Sequence, residues 1–505
     1  MLGAAPIIAA CGGSNATSSS AAAQRIRHGG TLQVGATGGG SADTIDAQAP
    51  VVDPDIMRVW QLFEPLAIRS PDFSAIEMVL AESIEPVGKR ADMWTIRLKP
   101  GIEFHNGKAV TADDVIYSLR RILDPKAPKS GATSLAAVDA TKLAKLDDRT
   151  VRVPLERPDS VFPDDLGQYF NTIVPVGYDP QRPIGTGPFK YQSFSPGQQS
   201  VFLRNENYWR TGEPYVDRLV IQDFPDDNTR LNALTSGEVQ AIDNLPAALL
   251  SSLQGSSGFR VLESKTGSWE PFTMRTDQAP FNDVRVRQAF RLIVDRPEML
   301  RLVLSGHGRV ANDLYSPFDP DYNSTLPQRH QDLEHARFLL KRAGQSGLSV
   351  ELVTSPIYQG IVQAAETFAQ QAKGAGVTVT LRQVDTTAFF GSSYLKWTFA
   401  QDYWSTLNYL TQVEQSSLPG SAYNETHFDN PRFIRLIAQA RATLDRAKRR
   451  ELVFAAQAIE WDSGGYIIPY FSNYLDGYSA KVSGFAPAAM FPLGNYGFRS
   501  VGYVD

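Results

Sequence analysis

Leu348-Ser-Val-Glu-Leu-Val353, Ile361 to Lys373 and Val377-Thr-Val-Thr-Leu381 are the residues whose reading decides the fold class. The outer two are short runs rich in β-branched and aliphatic residues, and the middle segment spaces its apolar residues for a helix ending near Gly374 and Gly376. Strand, helix, strand in that order predicts a β-α-β unit with parallel strands and a right-handed crossover. The second half of the chain therefore contains an α/β domain. Just upstream, Asp332 to Ala343 sets Leu333, Ala336, Leu339, Leu340 and Ala343 on one helical stripe closed by Gly344. Downstream, Phe433 to Trp461 reads as two amphipathic helices broken near Asp445.

Further from this centre the signals change period. In Met93-Trp-Thr-Ile-Arg-Leu-Lys99, Trp94, Ile96 and Leu98 alternate with Thr95, Arg97 and Lys99, the pattern of a half-buried strand. Turns follow at Pro100-Gly101 and Asn106-Gly107, and Thr111-Ala-Asp-Asp114 opens a helix in the manner of a capping box before Asp124-Pro125 stops it. Thr31-Leu-Gln-Val-Gly35 reads as the first strand of the globular part. No internal repeat appears.

The bulk numbers set bounds. A chain of 505 residues with 42% hydrophobic and 20% charged residues buries a large core and divides into several domains. A net charge of -5 without any Lys/Arg-rich run excludes nucleic acid as a partner. Cys11 is the one cysteine, so a monomer holds no internal disulfide and no cysteine-built metal site. It follows an apolar stretch and precedes a Gly/Ser/Ala tract reaching about Ala23. With Ile8, Ala9 and Ala10 before it, the segment resembles a bacterial lipobox, which implies lipidation at Cys11, a signal remnant ahead of it and a flexible tether behind it. No later segment approaches the roughly 18–20 apolar residues of a membrane span.

Four groups of segments resemble, in order, the peptide/nickel class of ABC-importer solute-binding proteins, the family 5 group of oligopeptide- and dipeptide-binding proteins. They are Leu80-Ala-Glu-Ser83 with Trp94 to Gly107, Thr111 to Val115 and Arg120 to Pro125; Gly185-Thr-Gly-Pro-Phe189 with Leu203 to Trp209 and Leu234 to Val239; Pro280 to Ala289 with Asp295-Arg296; and the C-terminal helices with Ile467-Ile-Pro-Tyr470. The resemblance implies a two-lobed periplasmic-binding-protein fold of the large oligopeptide-binding type, α/β in class, with three subdomains, a hinge and an interlobe ligand cleft. The expected division is tether 1–29; lobe I core 30–67, 188–274 and 475–505; accessory subdomain 68–187; lobe II 275–474. Crossings between lobes are placed near Arg275 and Ser472. The implied partners are a peptide or other small solute, the permease subunits of an ABC transporter, and a membrane reached through the N-terminal lipid on its outer face. The receptor is expected to be a monomer without cofactor.

Most of the motif residues read as scaffold: Gly185 and Gly187 as a turn with unusual backbone angles, Pro280-Phe281 as a wedge, Arg285 and Arg287 as ion pairs with Asp283 and Asp295, and His105 as structural. The other histidines, His28, His307, His330, His335 and His427, lack ligand spacing, so no metal site is expected. Peptide binders of the family carry a Trp-Gly-x-Asp-Tyr-like stretch whose Asp pairs with the ligand's ammonium. The corresponding stretch is Trp397 to Tyr409. Matching Trp404 to the family Trp puts Leu407 or Asn408 at the acid's place, with Asp402 displaced, which leaves Asp402 and Asn408 both as amine contacts. Arg275 stands where the family has Asn, and two roles remain open for it: a bidentate contact to an anionic ligand, or an ion pair with Asp277 or another acid. Trp269, Tyr403, Trp404 and Tyr409 are wall or core residues. The alternative solutes are opines, sugar conjugates and sugar phosphates. A hydrolase or a signalling receptor is the reading from another class; the chain has no Gly-x-Ser-x-Gly and no His-Glu-x-x-His.

Overall fold

The computed structural model describes residues 25–505; Cys11 and the tract to Ala23 lie outside them. The chain has the two-lobed arrangement. One lobe is built on an eight-stranded sheet in the order Phe259–Lys265, Tyr470–Ser479, Ala241–Ile242, Thr31–Thr37, Arg218–Phe224, Gln199–Arg204, Phe189–Ser195, with Gly308–Val310 paired to the start of Tyr470–Ser479. Thr31–Thr37 runs parallel to both of its neighbours. Its alternate residues Leu32, Val34 and Ala36 are fully buried in one core with Met57, Val59 and Leu62 of the helix Asp53–Leu62.

The other lobe is built on a five-stranded sheet, Thr378–Gln383, Ser349–Thr354, Phe399–Gln401, Phe272–Met274, Tyr466–Ile467. Ser349–Thr354 and Thr378–Gln383 are parallel, and the helix Ile361–Lys373 joins them, as the opening stretch predicts. That helix buries Phe368 among Phe272, Phe290 and Phe399. Asp445 caps the helix Arg446–Ser463 through Lys448 N at 3.1 Å and separates it from Pro431–Arg441.

A four-stranded antiparallel unit, Ala81–Pro86, Met93–Leu98, Thr150–Pro154, Ala144–Asp147, carries the helix Ala112–Ile122. Trp94, Ile96 and Leu98 are its buried face, and Asp114 closes the capping box by accepting from Thr111 N at 3.0 Å. This unit touches the second lobe through Arg441, buried between Asp159 and Asp165 at 2.8 and 2.9 Å. The chain leaves the eight-stranded sheet after Lys265, enters the five-stranded sheet at Phe272, and returns between Ile467 and Tyr470.

Two scaffold expectations are corrected. Neither Gly185 nor Gly187 has positive φ. Glycine is required there by close approach: an added Cβ would lie 1.9 Å from Leu62 O at Gly185 and 2.4 Å from Gln61 O at Gly187. Arg285 does pair with Asp283 at 2.6 Å, whereas Arg287 donates to the carbonyls of Phe281, Ser463 and Gly464, and Asp295 caps the helix Arg296–Leu304. His105 bridges the same glycine turn, accepting from Gly185 N at 3.2 Å, and burial holds it down at about 4, hence neutral.

Gly187→Ala is expected to lower stability by about 2–3 kcal/mol, because backbone rather than a flexible side chain must yield. Gly212→Ala, where a Cβ meets nothing within 4 Å but φ is +84°, is expected to cost about 1 kcal/mol. Urea midpoints measure both, and a Gly187→Ala loss no larger than that of Gly212→Ala contradicts the close approach.

Candidate functional site

The two connections between lobes are laced to each other. Thr266 Oγ1 donates to Ser472 O at 2.6 Å, Ser472 N donates to Ser268 O at 3.0 Å, and Ser472 Oγ donates to Glu270 at 3.0 Å. The first connection also pairs with the segment that follows Phe399–Gln401. Trp269 N donates to Trp404 O at 3.0 Å and Trp404 N to Trp269 O at 2.9 Å, while Asp402 N donates to Pro271 O at 3.3 Å. Thr406, two residues on, donates to Ala489 O of the first lobe and accepts from Gly267 N. Residues 402–406 are thereby fixed against the junction and face the space between the lobes.

The predicted residues separate into two sets. Asp402, Tyr403 and Trp404 come together beside the junction between the lobes. Asp402 accepts from Tyr394 Oη at 2.9 Å and from Tyr403 N at 2.8 Å. Tyr403 is 40% exposed and stacks on Tyr358 with ring centres 5.2 Å apart. Trp404 meets Tyr423 edge-on and donates its indole N–H to Glu425 at 3.0 Å. Of the two roles left open for Trp269, burial favours core: only 1% exposed, it is enclosed by Tyr315, Trp404 and Tyr466. Tyr409 is likewise core, stacked on Tyr315 and hydrogen-bonded to Glu460 at 2.5 Å.

Asn408 is occupied by Asp164 of the accessory unit. It lines a separate interlobe cavity of about 300 Å³, with Arg69, Asp164, Asp319 and Arg449 among the walls and Asp402 absent from them. Arg275 is closed as well. Its Nε and Nη2 each donate to Asp277 at 2.7 Å, and Nη1 donates to Leu395 O at 3.0 Å. This is the ion-pair role of the two that the sequence left open.

Sequence reasoning missed Asp53, Tyr169, Tyr358, Tyr394, Tyr423 and Glu425. Glu425 is buried beside Asp402, and Tyr466 donates to its other oxygen. Desolvation, followed by the charge of Asp402, pushes Glu425 well above the carboxylate range. Burial also raises Asp402, while the hydrogen bonds from Tyr403, Tyr394 and Glu425 oppose that. Of the two, Glu425 is the one that the charge of its neighbour pushes up further. From the opposite lobe, desolvation and then Asp243 push Asp53 up to about 7. At the junction, desolvation pushes Glu270 up to about 8; it is 1% exposed and one of its oxygens has no partner. Among the described residues no Lys or Arg forms an ion pair with Asp402 or Glu270, and the causes that raise them begin with burial.

Comparison with known proteins agrees with this architecture. The sequence profile described as bacterial extracellular solute-binding proteins, family 5 Middle, matches residues 75–420. The chain belongs to that family. Curated relatives of this family 5 protein include heme-binding protein A of Haemophilus influenzae, 28% identical over 471 residues and 84% of each chain. Another is the dipeptide-binding protein of Escherichia coli, 27% identical over 467 residues, 84% of this chain and 85% of the relative. Among solved structures, the periplasmic binding protein DppA from Helicobacter pylori in complex with the peptide STSA superposes with a TM-score of 0.80. It is 21% identical, and the match covers 95% of this chain and 99% of that one.

The Glu270 carboxyl yields a pH test. The folded protein retains its proton up to about pH 8, whereas an unfolded glutamate releases it near the ordinary 4.5. The unfolded chain binds fewer protons in that window, so stability is lost progressively as pH rises through it. Glu270→Gln removes this loss. Its melting temperature relative to wild type is expected to climb by several degrees between about pH 5 and pH 8; a difference that stays constant across the window contradicts the assignment.

Proposed function

We propose that this family 5 solute-binding protein captures a peptide-like solute with a free ammonium group in the interlobe cleft and presents the closed form to the permease of an ABC transporter. It is an extracellular receptor, not an enzyme. Asp402 is the anion that pairs with the ammonium, set between Tyr403 and Trp404 and neighboured by Glu425. The observation carrying this reading is the position of Asp402 beside the junction between the lobes, desolvated and held by the neutral donors Tyr394 Oη and Tyr403 N. Asn408, the other residue proposed for that role, is engaged with Asp164. The reading draws support from the dipeptide-binding relative and from the peptide complex named above.

We take 266–271 and 468–473 as the hinge, with the accessory unit moving as part of the first lobe. Closure then brings the Asp159/Asp165 pair onto Arg441 and Thr406 onto Ala489, contacts that hold the lobes around the solute. Arg275, already neutralised by Asp277, leaves the anionic solutes without a partner at that position. The lipid on Cys11 is the anchor that keeps the receptor at the outer face of the membrane near its permease.

Two measurements test this. Free peptides of about two to eight residues at 100 times their dissociation constant are expected to add about 2.7 kcal/mol to stability, several degrees of melting temperature. N-acetylated counterparts are expected to give no shift, and Asp402→Asn is expected to weaken the free peptides by about 100-fold. Equal shifts from free and acetylated peptides refute the ammonium contact. Separately, Cys11→Ala is expected to move the protein from the membrane to the soluble fraction, and unchanged membrane association refutes lipidation there.

A further inference from the structure

The cavity of about 300 Å³ that Asn408 lines lies between the accessory unit and the second lobe, and Asp402 is not among its walls. Several of its charged groups are satisfied. Arg69 pairs with Asp164 at 2.5 Å, and Asn408 Nδ2 donates to the same carboxylate. Asp319 accepts from Asp321 N at 2.7 Å and from Tyr409 N at 2.8 Å. One carboxylate thus ties residue 321 to residue 409, which sets Asp321 beside Asn408. It also takes over a first-turn N–H of the helix Tyr409–Ser416, whose N-cap residue Asn408 makes no side-chain cap bond.

What is left unsatisfied has both signs. Asp321 is 7% exposed and Asn408 is 4% exposed, yet Oδ1 of each has no hydrogen-bond partner among the described residues. The base nearest Asp321 is Arg449, whose Nε stands 3.6 Å from Oδ2, beyond hydrogen-bond reach. Arg446 lines the same cavity and, among the described residues, forms no ion pair. Arg446 and Arg449 are three residues apart on one face of the helix Arg446–Ser463, in its first turn, where the helix dipole opposes cations and an anion between them is favoured. Ile76, Val161, Leu410 and Val453 supply an apolar wall. The volume is that of a small organic ligand, and among the described residues no three acidic or histidine side chains converge as a metal site.

We propose that this cavity is a second ligand site that takes a free amino acid with an aliphatic side chain. Its ammonium donates to Asp321 Oδ1 and Asn408 Oδ1, its carboxylate lies on Arg446 and Arg449, and its side chain meets the apolar wall. The walls come from two bodies, so an occupant bridges them and favours the closed form, and amino acid and cleft solute strengthen each other's binding. That coupling rests on the closure proposed above, whereas the site itself does not.

Isothermal titration of the full mature protein with L-leucine, N-acetyl-L-leucine and L-leucinamide tests the site. Leucine is expected to bind with a dissociation constant below about 1 mM and both blocked forms at least about tenfold more weakly. Asp321→Asn, and Arg446→Gln at an exposed position that packing does not constrain, are each expected to weaken leucine about tenfold. The site is overturned if leucine gives no binding at about 10 mM, if either blocked form matches it, or if both variants bind leucine as wild type does. In a second titration the protein is first saturated with a free peptide of two to eight residues, and leucine is expected to tighten at least about twofold. Displacement of leucine by the peptide overturns the separate site, and an unchanged leucine affinity overturns the coupling. If leucine binds and no free peptide does, the peptide reading fails and the second site stands.

Discussion

The reciprocal backbone pair between Trp269 and Trp404 ties the chain's passage from one lobe to the other to the wall of its own binding cleft. The passage is also bonded to the return strand through Thr266, Ser268 and Ser472. Any rotation about this junction therefore carries residues 402–406 with it, and with them Asp402 and Thr406. The buried stack of Tyr315, Trp269 and Trp404 stiffens the arrangement from behind, since close-packed aromatic rings yield little to a shifting neighbour. Solute capture and lobe closure thus share one set of backbone hydrogen bonds.

The second constraint is electrostatic. Burial raises both Asp402 and Glu425, the charge of Asp402 raises Glu425 further, and the hydroxyls of Tyr394 and Tyr466 are the neutral donors that oppose it. Arginines near the junction are spent elsewhere: Arg275 on Asp277, Arg296 and Arg329 on Asp313, Arg441 on Asp159 and Asp165. Such buried acids lower the stability of the empty receptor. A ligand cation recovers that loss, which makes the solute a large contributor to the closed state.

Periodic segments were legible in the sequence: the β-α-β unit, the alternating strand at Trp94, the caps at Thr111, Asp332 and Asp445. Each of these signals is local, read from spacing and cap chemistry alone. The cleft is not local. Tyr394 and Glu425 meet Asp402 only once the segments around Phe399–Gln401 are folded, and nothing in their spacing announces it. Trp269 and Tyr409 were ambiguous because an aromatic residue satisfies core and wall alike, and burial decides between them only after both lobes are placed. Gly185 and Gly187 were read as strained when they are crowded, since composition cannot separate a positive φ from a neighbouring carbonyl. The matching of Trp404 to the family tryptophan obscured Asp402, although the adjacency of acid and tyrosine was present in the sequence.

The central claim is that Asp402, at the junction between the lobes, receives the ammonium group of the solute. A crystal structure of the protein with a free peptide that binds it addresses this directly. The account predicts the amino nitrogen of the peptide about 2.7–3.2 Å from an Asp402 oxygen. A ligand carboxylate or apolar group against Asp402, or a peptide lodged outside the cleft, would contradict it.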